Sequence, residues 1–172
     1  MSTCDITITE PACQSLGGVI FFDDNVNGCQ DGAEALVTDP VTVTLYECGA
    51  LPGVDTPIGS TTVTDGSYFF GEGSPEFGSD VCLKPTTTYF VVFDIPNGLG
   101  EVLDRYVFSP NSTNCAQSDS ASDVNPADGT TSCFDPTSDD DDLDIDAGIF
   151  PSLFDLMLEL SLIHISEPTR PY

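Results

Sequence analysis

The chain of 172 residues carries 29 acidic against three basic side chains, a net charge of −26. A surface of that sign repels nucleic acid and anionic membranes, which excludes recognition built on basic patches. Yet 40% hydrophobic content, with 11 Phe and five Tyr, is too much for a disordered acidic chain; the protein is acidic but folded, with room for one domain and ragged ends.

Residues 1–16 place Ile6 and Ile8 among threonines before Pro11 and read as a linker or the last strand of an upstream module. Met1–Glu10 has neither a basic start nor an apolar core, so no signal peptide is read there. The run Gly18-Val-Ile-Phe-Phe22 has strand character. After it comes Asp23-Asp-Asn-Val-Asn-Gly-Cys-Gln-Asp-Gly-Ala-Glu34, which puts side-chain oxygens of Asp23, Asn25, Asn27, Asp31 and Glu34 at positions 1, 3, 5, 9 and 12 of a loop. Gly28 falls at position 6, where the bend requires a residue without a Cβ. Cys29 at position 7 offers its backbone carbonyl. This is the ligand spacing of an EF-hand loop for Ca²⁺, a hard cation that takes six to eight oxygens. The alternative is an Asn/Asp/Gly-rich turn with no metal. Pro40 stops any helix after the loop before it makes two turns, so the loop joins strands and is not a true EF-hand.

Further along, Val41, Val43 and Leu45 alternate with threonines in a half-buried strand. Ser60–Thr64 and Ser67–Phe70 flank Asp65-Gly66, a hairpin signal. Thr88–Phe93 is the most apolar run and is expected to be central. Arg105–Phe108 is another strand. An acidic Ser/Asp/Asn-rich stretch with two cysteines lies between Pro110 and Pro136, and Leu143, Ile145, Ala147 and Ile149 then alternate with Asp144 and Asp146. About seven strands and no helix-period segment predict an all-β sandwich.

Seven cysteines with no Cys-x-x-Cys spacing, and a single His, leave little for a zinc or redox site. They read as disulfides of an extracellular protein, the other reading being reduced thiols in the cytosol. An odd number leaves one free or paired with a cysteine in a missing segment. Cys115–Cys133 is the favoured local pair; its short loop would stabilise the fold by about 3 kcal/mol. Asn111-Ser112-Thr113 is a glycosylation sequon.

From Pro151 the apolar run is too short to span a bilayer. Leu160-Ser-Leu-Ile-His-Ile-Ser-Glu-Pro-Thr-Arg170 resembles the in-frame translation of a transposase sequencing adapter. Residues 151–172 are therefore read as a non-domain tail, and as read-through from Leu160 onward. The chain is expected to be a fragment, which accounts for the missing signal peptide.

The ordered segments Gly17–Glu34, Val41–Tyr46 and Thr64–Phe70, followed by Ser122–Thr130 and Leu143–Phe150, resemble the B domain of serine-aspartate-repeat surface proteins (SdrD B-like). The resemblance covers residues 17–150. It implies a single Ig-like, collagen-adhesin B-type sandwich, stabilised by Ca²⁺, extracellular, and one of several modules in a stalk. It also implies further calcium sites, one expected around Asp119, Asp123 and Asp128. The cysteines depart from that pattern. Some related modules carry an intramolecular isopeptide bond from a first-strand lysine; Lys84 is the only lysine here, so none is predicted.

The expected function is a non-enzymatic rigid spacer or adhesion-stalk repeat of a surface or secreted protein. Its expected partners are calcium, neighbouring repeats and a surface or matrix ligand, with no nucleic acid and no membrane insertion. An acidic calcium-buffering or mineral-binding protein, led by Asp139–Asp142, is the alternative. A carboxylate-based hydrolase is a remote one, because nothing in the sequence picks out an acid pair in a cleft.

Overall fold

A computed structural model describes residues 13–72, 78–95, 106–112, 115, 121–136 and 144–152. The expected strands at Ile6 and Ile8, the Asp139–Asp142 run and the apolar tail lie outside the described residues. No helix occurs among those described. Eight strands do: β1 (Leu16–Phe22), β2 (Val41–Glu47), β3 (Gly59–Val63), β4 (Ser67–Gly71), β5 (Gly78–Asp80), β6 (Tyr89–Asp94), β7 (Tyr106–Phe108) and β8 (Ala147–Pro151). They form a five-stranded sheet in the order β5-β4-β1-β8-β7 and a three-stranded sheet in the order β3-β2-β6.

The periodicity of β2 explains how the sheets face each other. Val41, Val43 and Leu45 are buried while Thr42 and Thr44 are half-buried, so alternate residues point into the sandwich. They meet Leu16, Ile20, Phe70, Ala147 and Ile149 of the larger sheet in one core, which Val91 and Phe93 of β6 complete. Tyr68 crosses between the sheets. Its ring stands edge-on to Phe93 at 5.5 Å, and its hydroxyl donates to the Ile145 carbonyl at 2.7 Å. A buried Tyr thus gains aromatic contact without leaving its O–H unpaired.

Two strand expectations need correction. Asp65-Gly66 does not close a hairpin, because β3 pairs with β2 and β4 pairs with β1. The turn carries the chain from one sheet to the other. Gly66 has φ +79° and its carbonyl accepts from the Ile20 N–H at 2.7 Å, so the dipeptide supplies the left-handed corner without supplying a partner strand. The most apolar strand, β6, is last in its sheet. Its outer edge is nonetheless covered: Phe93 N–H donates to Gly129 O, Thr131 N–H to Val91 O, and Tyr89 and Phe134 exchange two bonds, all at 2.9 Å.

The cysteine pairing also differs from the local pair. The disulfides are Cys13–Cys82, Cys29–Cys115 and Cys48–Cys133, with sequence separations of 69, 86 and 85. Cys115 and Cys133 are therefore not partners. Cys133 precedes the Phe134 that pairs with Tyr89, and Cys48 donates its N–H to Thr88 O, so the fold brings those two together from distant segments. Closing a loop of that length removes roughly 4.5 kcal/mol of unfolded-state freedom when taken singly in the chain-entropy model. Cys4, the seventh cysteine, lies outside the described residues.

The first and last strands of the sandwich are parallel neighbours, with Ile20 opposite Ala147 and Phe22 opposite Ile149. The chain therefore enters the large sheet at Leu16 and leaves it at the opposite end, roughly 25 Å away at the usual rise per strand residue.

Candidate metal centre

The loop from Asp23 to Glu34 leaves β1 at the end where β8 also terminates. Its neck is closed by backbone bonds: Phe22 N–H to Ala35 O at 2.9 Å, Val37 N–H to Ile20 O at 2.8 Å, and Asp23 N–H to Ile149 O at 2.8 Å. Between the closed ends the backbone bends through two left-handed residues, Val26 at φ 59° and Gly28 at φ 76°. Gly28 is confined as well as bent: a Cβ there would lie 2.1 Å from the Pro110 carbonyl oxygen and 2.9 Å from Ser112 Cβ. Both the twist and the close approach exclude a side chain at this position.

Side-chain oxygens hold the bend. Asp23 is fully buried; its Oδ1 accepts from Asn27 N–H at 3.1 Å and its Oδ2 from Gly28 N–H at 2.8 Å. Asn25 Oδ1 accepts from Asn27 N–H at 3.1 Å, and Asn27 Oδ1 from Cys29 N–H at 2.7 Å. The Nδ2 groups of Asn25 and Asn27 both donate to Asp31 Oδ2, at 2.7 and 3.1 Å. Glu34 reaches back across the loop, with Oε1 accepting from Asp24 N–H at 2.9 Å and Oε2 from Asp31 N–H at 2.8 Å. Asn25, Asn27 and Asp31 thus meet directly, while Asp23 and Glu34 close the loop from either end. Cys29 is nearly buried and bonded to Cys115.

The donor chemistry is that of a hard-cation site, while among the described residues no three acidic, His or Cys side chains converge as a metal-holding group. The loop offers carboxylate and amide oxygens; those of Asp23, Asn25, Asn27 and Glu34 each accept one N–H and keep a lone pair, while Asp31 Oδ2 accepts two and leaves its Oδ1. The positive ends of two amide groups meet the Asp31 carboxylate, a role that a bound cation would take over. Asp23, Asn25, Asn27, Asp31 and Glu34, with the Cys29 carbonyl, are the groups that would hold Ca²⁺.

The second predicted cluster is more dispersed. Asp119 lies outside the described residues. Asp123 exchanges bonds with Asp146: its N–H donates to Asp146 O at 2.9 Å and its Oδ2 accepts from Asp146 N–H at 3.0 Å. Asp128 lies in the turn after Asn125, where its Oδ1 accepts from the N–H and the hydroxyl of Thr130 at 3.1 and 2.7 Å. Asp123 lines a hollow of about 250 Å³ with Asn111, Thr131 and Asp144, whereas Asp128 lines another beside Phe93 and Phe108.

Asp146 was not singled out by the sequence, since alternation with Ile145 and Ala147 assigns it to an outer face. It is 2% exposed, and its Oδ1 accepts the Val19 N–H at 2.7 Å. The amide of half-buried Val19 needs an acceptor, and this carboxylate supplies it. No periodic signal marks such a residue.

The geometry defines a class of protein: an acidic, disulfide-bonded β-sandwich module whose first and last strands lie side by side and whose oxygen-lined loop sits at one end. The family model of the SdrD B-like domain matches residues 14–149, and the chain belongs to that family. No curated protein matches it.

Proposed function

We propose that this chain is a non-enzymatic, calcium-stabilised extracellular module that acts as a rigid spacer or stalk repeat in a larger surface or secreted protein. The observation that carries the spacer reading is the parallel pairing of β1 with β8. Chain entry and exit fall at opposite ends, so copies or neighbours joined in sequence extend end to end. The adhesin-type family supports the non-catalytic role. Three disulfides support an oxidising location.

The calcium reading rests on the oxygen donors gathered between Asp23 and Glu34. Bound Ca²⁺ would offset the mutual repulsion of three carboxylates at the end of the module where β8 leaves. Thermal unfolding of the full chain in Ca²⁺, Mg²⁺ and EGTA, alongside Asp23→Ala, tests it. With a Kd near 10⁻⁴ M, 10 mM Ca²⁺ stabilises the native state by about 2.7 kcal/mol, a rise in Tm on the order of 10 °C. Mg²⁺ gives much less, and Asp23→Ala abolishes the difference. Equal midpoints in Ca²⁺ and EGTA would reduce the loop to a turn and leave the spacer without its metal.

A further inference from the structure

We propose that the Cys29–Cys115 disulfide is a positioning element of the candidate calcium loop, holding its bend pre-formed so that the cation meets an organised loop. The inference rests on the calcium reading above. Cys29 is at loop position 7, directly after the bend glycine, and its sulfur is tied to a residue 86 positions away. Two segments clasp the bend from outside the loop. On one side Pro110 and Ser112 crowd Gly28 so closely that no Cβ fits. On the other, Ser122 N–H donates to Gly28 O at 2.8 Å, and Cys29 bridges to Ala121. The disulfide joins the loop covalently to the first of these segments.

The loop has reason to need such a clasp. Val26 is a β-branched residue held at positive φ, a conformation that persists only where the surroundings enforce it. Asp23, Asp31 and Glu34 add like charge within the same twelve residues. Fixing the bend beforehand lowers the ordering cost of binding, which raises affinity without adding a contact to the ligand. The other two disulfides are elsewhere. Cys13–Cys82 adjoins the Gln14–Leu83 bridge at the start of β1, and Cys48–Cys133 lies between the end of β2 and Phe134. They staple the sandwich without touching the loop, and so serve as internal controls.

The test compares the full chain with the double variants Cys29→Ala/Cys115→Ala and Cys13→Ala/Cys82→Ala. The Ca²⁺ Kd is measured by calorimetry at a temperature where circular dichroism shows all three folded. Loss of the loop disulfide is expected to weaken Ca²⁺ binding about tenfold or more, as removal of supporting groups around metal ligands does, while loss of Cys13–Cys82 changes Kd less than about twofold. Both doubles are expected to lower Tm in EGTA, which separates stapling from positioning. Unchanged affinity in Cys29→Ala/Cys115→Ala, or equal weakening in both doubles, overturns the inference alone. No Ca²⁺ binding by the unaltered chain overturns the calcium reading and the inference with it. Amide hydrogen exchange of the unaltered chain gives an answer even if a variant does not fold. The N–H groups of Asn27, Gly28 and Cys29 are expected to be protected already in EGTA, with calcium adding less than about tenfold. Fast exchange in EGTA and strong slowing by Ca²⁺ would mean that the cation itself organises the loop.

Discussion

Two loops of similar length leave the strands of this sandwich, and they are built on different principles. The β2–β3 loop is anchored at Cys48 by the disulfide to Cys133, but its tip, residues 49–57, is shaped by its own atoms and those of the adjoining β2 strand. Asp55 Oδ2 accepts from Leu51 N–H at 2.7 Å, Val54 N–H donates back to Leu51 O at 3.0 Å, and Gly49 and Gly53 have no atoms near the position of a Cβ. Its Leu51 and Val54 side chains are 62% and 79% exposed. The loop of residues 23–34 buries its first carboxylate completely, strains a valine, and is held by Pro110, Ser112 and Cys115 on one side and by Ala121 and Ser122 on the other. A loop that only connects can satisfy its own backbone. One that buries a carboxylate and bends through two left-handed residues needs the rest of the fold to hold it.

The largest effect that separates the two comes from their glycines. Gly28 and Gly53 share a left-handed φ, 76° and 77°, so an added Cβ costs each about 1–2 kcal/mol from conformation alone. Only Gly28 also meets a carbonyl oxygen 2.1 Å from the Cβ position, and overpacking adds about 1–3 kcal/mol. Gly28→Ala is therefore expected to destabilise by roughly 3–4 kcal/mol and Gly53→Ala by no more than about 2 kcal/mol. Denaturant titration of both in EGTA measures the gap. Equal losses would show that the clasp by Pro110 and Ser112 does not confine Gly28.

A smaller effect of opposite sign is expected at Val26. It is 42% exposed and its φ is 59°, so replacing it sacrifices little burial. Val26→Gly relieves about 1–2 kcal/mol of left-handed cost and returns about 0.5–1 kcal/mol as unfolded-state entropy. The net gain is under about 1 kcal/mol, seen as a modest rise in Tm with and without calcium. A fall in Tm would mean that the bend does not pass through a left-handed residue there.

The contrast also explains what could be read from the chain. The oxygen spacing from Asp23 to Glu34, the bend at Gly28 and the alternation in β2 are local, and each is written in consecutive residues. The clasp is not. Cys115 and Ser122 reach the loop through tertiary structure, so cysteine spacing favoured Cys115–Cys133, a neighbour in sequence, over the observed partners. Asp65-Gly66 fixed a turn and its φ but carried no information about which sheet receives β4. Asp146 followed the outward phase of its neighbours, yet the Val19 amide, more than a hundred residues earlier, draws it inside. Turn chemistry and periodicity describe a residue's own backbone; hydrogen-bond demand from a distant strand leaves no mark beside it.

The smallest effect tests the β2–β3 loop directly. Val54 is the most exposed of the large apolar side chains among the described residues, so its environment changes little between the folded and unfolded chain. Hydrophobic stabilisation scales with the area removed from water, about 25 cal/mol per Å². A side chain that stays in water contributes almost none. The bonds that shape this loop run through the backbone, Asp55, the Tyr46 hydroxyl and the Cys48–Cys133 disulfide, all of which Val54→Ser leaves in place. The substitution is expected to change stability by less than about 0.5 kcal/mol and to leave any calcium-dependent rise in Tm intact, since the loop carries none of the candidate ligands. Urea unfolding with an unchanged slope and midpoint would support this. A clear loss of midpoint would mean that Val54 is covered in solution, and the β2–β3 loop would then be a contact surface instead of a simple connection.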